Sequence, residues 1–107
     1  MKPIYYLSGP MSGMVNCNFP AFDAEAARMR ALGHFVINPA ELNTDPATSW
    51  VKCMRDDITA LMQCTSIVML PGFERSKGAM LELHIAERLE MTVHLAGELK
   101  GESHVHG

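Results

Sequence analysis

Two carboxylic acids stand on the wrong faces of the helices that carry them. Over residues 49–64, Trp50, Cys53, Met54, Ile58, Leu61 and Cys64 recur at the spacing of one buried helical stripe, while Lys52, Arg55, Asp56, Thr59 and Gln63 fall opposite. Asp57 comes three residues after Met54 and four before Leu61, so it projects from the apolar stripe, and its neighbour Asp56 projects to solvent. The anomaly repeats over residues 76–90. There Glu82 is flanked by Gly78, Ala79, Ile85, Ala86 and Leu89, and Lys77, His84, Glu87 and Arg88 lie outside. A buried carboxylate without a partner costs several kcal/mol and is rarely left in a core without a purpose. One inward acid is readily an arginine's partner or a loop cap. Two of them, beside the Gly-containing loop 9–18, point to a paired-carboxylate site. Such a pair suits glycosyl transfer: one carboxylate attacks an anomeric carbon, the second group manages protons, and a nearby anion stabilises a cationic, oxocarbenium-like transition state.

The elements that must position these acids follow from the pattern. A β-prone run at 4–7 is ended by Ser8-Gly9-Pro10; runs at 35–37, 66–70 and 92–95 are further strands. Between the first two, Asn18 is placed to cap a helix with Pro20 in its first turn and Phe22, Ala26 and Met29 on its inner face; Leu32-Gly33 stops it. Ser49 and Ser76 are the N-caps of the two acid-bearing helices. Strand and helix alternate four and three times, the pattern of an α/β three-layer sandwich: a parallel sheet of four or five strands with helices on both faces. Ligands then bind beyond the carboxyl ends of the strands, at the segments 8–18 and 71–78. The expected organisation is one domain over residues 1–97 and a flexible tail over 98–107.

Composition narrows the partners. The chain has 107 residues, one domain's worth, with 48% hydrophobic and 20% charged residues and a net charge of −3. That balance argues against a nucleic-acid polymer as partner, which needs a basic stripe. No apolar run approaches the ~20 residues of a membrane span, and the start shows no secretory leader, so no membrane partner is expected. Cys17, Cys53 and Cys64 form an odd set without a CxxC pair, which fits the reducing cytoplasm rather than a disulfide framework or a zinc site. His104 and His106 form an HxH in the polar tail.

Tyr6-Leu7-Ser8-Gly9, the Asp57-Ile58 helix followed by Ser66-Ile67-Val68, and Ser76-Lys77-Gly78 ahead of Glu82 resemble the nucleoside 2-deoxyribosyltransferase superfamily, which includes small nucleoside 5'-monophosphate N-glycosidases. The likeness spans roughly residues 4–95. More narrowly, the set YLSGPMSG, NFPAF, INPAEL, W…MRDDI, MLPGFE and S-x-G-x-x-x-E resembles a domain-of-unknown-function family common in phages and prophages.

The resemblance implies a flavodoxin/Rossmann-like fold and a catalytic set of Glu82 as nucleophile, Asp57 on the sugar or in proton transfer, and Tyr6 positioning the nucleophile. It implies substrate-binding roles for Ser8, Gly9, Pro10, Met11, Ser76 and Gly78, with Gly9, Ser76 and Gly78 at a 5'-phosphate. No metal and no organic cofactor is called for. The monophosphate hydrolases carry an Arg in the first loop; here that stretch reads Pro10-Met11-Ser12-Gly13, and Arg75 and Lys77 are the nearest basic residues. The expected activity is hydrolysis or base transfer at the N-glycosidic bond of a (deoxy)nucleoside or nucleoside 5'-monophosphate. The alternative is a non-catalytic nucleotide-binding or sensor module using the same pocket. Superfamily members complete the pocket from a neighbouring subunit, which implies a homodimer or higher homo-oligomer with the 49–64 helix near the interface. The first loop is expected to close over the ligand.

Overall fold

Strand alternation sorts the centre of the molecule into two faces. In the computed structural model, which describes residues 2–101, the first strand, β1, is Ile4–Ser8. Its Tyr5 and Leu7 point one way, into a cluster with Phe22, Ala26, Met29, Val36, Val68 and Leu70. Its Tyr6 points the other way, into a cluster with Leu61, Ile67, Met69, Ala79 and Ala86. The elements that supply these residues are α1 (Phe19–Ala31), β2 (Phe35–Ile37), α2 (Trp50–Leu61), β3 (Ser66–Met69), α3 (Lys77–Arg88) and β4 (Thr92–Leu95). Helix α1 therefore covers one face of the sheet, and α2 and α3 cover the other.

The sheet is wholly parallel with the order β2-β1-β3-β4. Tyr6 of β1 is paired with Ile37 of β2 and with Ile67 of β3, which in turn pairs with Val93 of β4. The expected α/β sandwich is thus the observed one, with four strands and three α-helices among the described residues. Strand β2 lies on one side of β1 and β3 on the other, so the chain reverses direction across β1. At such a point the loops leaving the two central strands diverge and open a crevice.

The local signals act as expected at two helix starts and differently at the third. Ser49 Oγ accepts the Lys52 amide at 3.1 Å, and Ser76 Oγ accepts the Ala79 amide at 3.1 Å. Asn18 does not cap α1. It sits at φ 60, whereas an N-cap needs extended backbone, and its side-chain amide donates to the Pro10 carbonyl at 2.9 Å. It ties the first loop together instead of starting the helix. Strand β1 also runs one residue further than expected, through Ser8.

Beyond β4, residues 97–101 lie against α1. Leu99 packs on the α1-side core, Arg28 Nη1 donates to the Leu99 carbonyl at 2.9 Å, and the Gly97 amide donates to Glu25 Oε2 at 3.0 Å. His104 and His106, and the rest of the expected tail, lie outside the described residues.

Candidate active site

A period of two on β1 puts Tyr6 and Ser8 on the same face, and Glu82 of α3 is packed against both. The Tyr6 hydroxyl donates to Glu82 Oε2 at 2.8 Å and the Ser8 hydroxyl to Oε1 at 2.6 Å. Glu82 is 4% exposed and Ser8 1%. Glu82 stands three residues after Ala79 and four before Ala86, the two small buried residues that let α3 settle on the sheet. The approach of α3 to α2 is equally close: a methyl at Gly78 would lie 2.9 Å from Met54 Sδ.

Asp57 reaches the same region from α2, between Met54 and Leu61, and is 7% exposed. Among the described residues none donates a hydrogen bond to it. Asp56 behaves as its outward position requires, with an exposed ion pair to Lys52 at 2.7 Å. Burial, then the charge of Glu82 and then that of Asp56, push the Asp57 carboxyl up to about 7. Burial also pushes Glu82 up to about 7, against the two hydroxyl hydrogen bonds that pull it down. The Tyr6 phenol is raised well above its ordinary value by burial and by the charges of Glu82 and Asp57, so it stays a proton donor in the hydrogen bond. Burial raises both carboxyls, and the charge of Glu82 raises Asp57 further, so ionisation of Glu82 favours keeping the proton on Asp57.

Above the pair opens a cleft of about 990 Å³, the size class that accepts a small organic molecule. Its walls are the loop after β1, the segment 43–48, the start of α2 and the segment 71–79; Asp57 and Glu82 are part of its lining. It occupies the crevice at the strand-order reversal. Gly9 sits where the β1 and β3 exits pass each other: a methyl there would lie 2.7 Å from Leu70 Cβ, so the two chains can leave side by side only because the residue is glycine.

Gly9, Pro10, Met11, Ser76 and Gly78 all line the cleft, together with Asp57 and Glu82. Ser8, expected among the substrate-binding residues, does not. It is the last residue of the buried strand, and its hydroxyl is taken up by Glu82. Tyr6 likewise stands behind Glu82 and away from the cleft. Trp50, which helical spacing assigns to the core, is 40% exposed at the cleft mouth, with Lys77 Nζ 5.1 Å from its ring centroid. It belongs to the first turn of α2, where the start of α3 meets only one edge of it: a methyl at Gly78 would lie 3.6 Å from its Nε1. Arg75 and Lys77 line the cleft with no carboxylate partner among the described residues. Asn43, Asp45 and Thr48 were not legible as wall residues; their turn-rich segment has no periodicity, and only the Asn43–Asp56 hydrogen bond at 3.1 Å ties it to α2. Among the described residues no group of three His, Cys, Asp or Glu is arranged to hold a metal ion. No helix among them is long and apolar enough to cross a membrane.

The model of a family described as a domain of unknown function, DUF4406, matches residues 3–102. No curated protein matches the chain. Among solved structures, a 2-deoxyribosyltransferase from the psychrotolerant bacterium Bacillus psychrosaccharolyticus superposes with a TM-score of 0.66 at 20% identity, over 90% of this chain and 75% of that one. That protein is described as a biocatalyst for nucleoside synthesis. At this identity the likeness is one of fold.

Proposed function

The chain belongs to the DUF4406 family, and from its site we propose that it acts at the N-glycosidic bond of a nucleoside or nucleoside 5'-monophosphate. The observation that carries the reading is Glu82: a buried carboxylate in a cleft wall, with both oxygens held by neutral hydroxyls, no cation among the described residues to quench it, and Asp57 on the facing helix. The fold shared with a deoxyribosyltransferase supports the reading.

In this mechanism Glu82, ionised, attacks C1' while the C1'–N bond breaks. Asp57, holding the proton of the pair, gives it to the departing base. The product is a glycosyl ester on Glu82. Water, or a second base, then attacks C1' from the other side, and Asp57 takes back a proton. Tyr6 holds Glu82 in place throughout. Arg75 and Lys77, and the start of α3 with Ser76 and Gly78, are the groups on hand for a 5'-phosphate. The test is base release from a panel of nucleosides and 5'-monophosphates, with Glu82→Gln as control. Release by the wild type and its loss in the variant support the mechanism. Tight binding without release in the wild type gives the site to a nucleotide-binding module.

The single-domain, cytoplasmic and dimeric readings stand beside this one as proposals. For the dimer, α2 exposes Trp50 and Val51, with exposed Met62 just beyond its end, and light scattering at micromolar concentration decides it: a monomer alone removes that part.

A further inference from the structure

The two hydroxyls that hold Glu82 are not equivalent. Strand β1 runs toward the cleft, and Ser8 is its last residue; Gly9, the next, already lines the cleft wall. Tyr6 lies two residues back, about 7 Å deeper along the strand. Oε1, bonded by Ser8 at 2.6 Å, is therefore the cleft-side oxygen of Glu82, and Oε2, bonded by Tyr6 at 2.8 Å, is the deep one. The groups that face Glu82 are Tyr6 and Ser8 from β1 and Asp57 from α2; on α3 itself, Lys77 turns to the Trp50 ring. No cation is among them, so these two neutral donors are what favours the carboxylate against burial.

We propose that Ser8 is a positioning residue for Glu82, orienting the cleft-side oxygen and stabilising it whenever it carries free charge. The inference rests on the nucleophile reading above. In the first half-reaction the Oε1–C1' bond forms and the C1'–N bond breaks, its electron pair leaving with the base, which takes the proton of Asp57. Oε1 is then an ester oxygen, and the Ser8 hydrogen bond weakens. In the second half the C1'–Oε1 bond breaks and its electron pair returns to Glu82, while water bonds to C1' and gives a proton to Asp57. The Ser8 hydrogen bond strengthens as that charge returns, so it favours departure of the carboxylate. Tyr6 meets Oε2, which keeps its carbonyl character in the ester.

The experiment uses Ser8→Ala in the full chain, with Ser8→Cys as a milder companion that keeps the shape and donates weakly. Carbon-13 NMR of the Glu82 carboxyl, without ligand, gives its titration midpoint. A carboxylate accepting two or three hydrogen bonds falls by about two units, so losing one of two should raise the midpoint by about one unit, and less in the Cys variant. An unmoved midpoint in a folded Ser8→Ala overturns the proposal, because a merely structural serine would leave it unmoved. In turnover, the acid limb of kcat/KM should rise with the midpoint, and the glycosyl-enzyme should build up, seen as the mass of the sugar on the acid-quenched protein. A shifted midpoint with no build-up overturns the leaving-group half. A wild type that releases no base removes the nucleophile reading alone, since the midpoint is read without turnover.

Discussion

Glu25 on α1 and Glu82 on α3 are buried glutamates on opposite faces of one sheet, 9% and 4% exposed, and their surroundings could hardly differ more. Glu25 is gripped by the Arg28 guanidinium through two hydrogen bonds of 2.8 Å, and the Gly97 amide adds a third. The guanidinium beside it holds its carboxyl below the usual carboxylate range. Glu82 is met by two neutral hydroxyls and pushed up to about 7. Burial alone therefore does not mark a reactive acid. An acid neutralised by its own helix is a tie that fastens residues 97–100 to α1; one left to hydroxyl donors in a cleft wall keeps its proton to higher pH, the mark of a candidate reactive group.

The sharpest way to break this comparison is to remove each charge in turn. Glu82→Gln keeps the shape and removes the proposed nucleophile; base release should fall by about three orders of magnitude or more while nucleotide binding persists. Glu25→Gln should leave release within about twofold of the wild type, as a group on the far face contributes no reacting atom. Near-normal release by Glu82→Gln would return Glu82 to the structural class with Glu25.

The pair should also separate in pH. Glu82 and Asp57 have raised values in the fold, so their native state binds the extra proton: their contribution to stability is whole below the ordinary carboxylate range and is lost as pH rises toward about 7. For Glu82 a rise from 4.5 to about 7 corresponds to about 3 kcal/mol. Glu25, with a lowered value, contributes above the ordinary range and loses its share as pH falls below it. Urea midpoints from pH 4 to 8 should thus decline above pH 5, and Glu82→Gln should flatten that decline. In the proposed mechanism Glu82 must be ionised and Asp57 protonated, so kcat/KM should be bell-shaped around pH 7, with limbs belonging to these two groups. A flat stability profile in the wild type would mean that water reaches Glu82 freely.

A smaller effect isolates the tie. Glu25→Gln leaves Arg28 with a weaker acceptor on a partly exposed surface, and a loss of about 1–2 kcal/mol is expected by chemical denaturation, without change in the pH dependence above 5. The residues released should be 97–100, seen as loss of amide protection there.

What could be read from the chain alone follows from periodicity. The helical spacing that singles out Asp57 and Glu82 is short-range, and so is the strand alternation that aligns Tyr6 with Ser8. The same spacing also places Glu25 inward, three residues after Phe22 and four before Met29, but spacing does not tell its role: its partner Arg28 is one turn away, and Gly97 is 72 residues away. Ser8 ends β1 rather than opening the loop, a one-residue difference in strand length that puts its hydroxyl on Glu82 instead of in the cleft wall. Asn18 has the side chain of a helix cap and the backbone of a left-handed turn, and only the Pro10 carbonyl, eight residues back, decides between them.

The first loop and the 97–100 segment extend the comparison to the parts each glutamate serves. Asn16, Cys17 and Asn18 take φ of 51, 53 and 60 in succession, a conformation that costs each non-glycine residue free energy and persists where the surroundings hold it. What holds this loop is slight: the Asn18–Pro10 hydrogen bond, and amides of Met14 and Cys17 bonded within the loop itself. Met14 and Val15 are exposed, while Met11 packs on the core and anchors one end. Such a segment opens locally at low cost and can settle on a ligand that fills the cleft beneath it. Amides of residues 12–16 should exchange fast in the free chain and slow several-fold when the best substrate of the panel is bound to Glu82→Gln, whereas those of 97–100, already tied by Glu25 and Arg28, should not change. Equal exchange of 12–16 at saturating ligand would show a static wall, and slowing at 97–100 instead would mean that the two faces of the sheet are coupled.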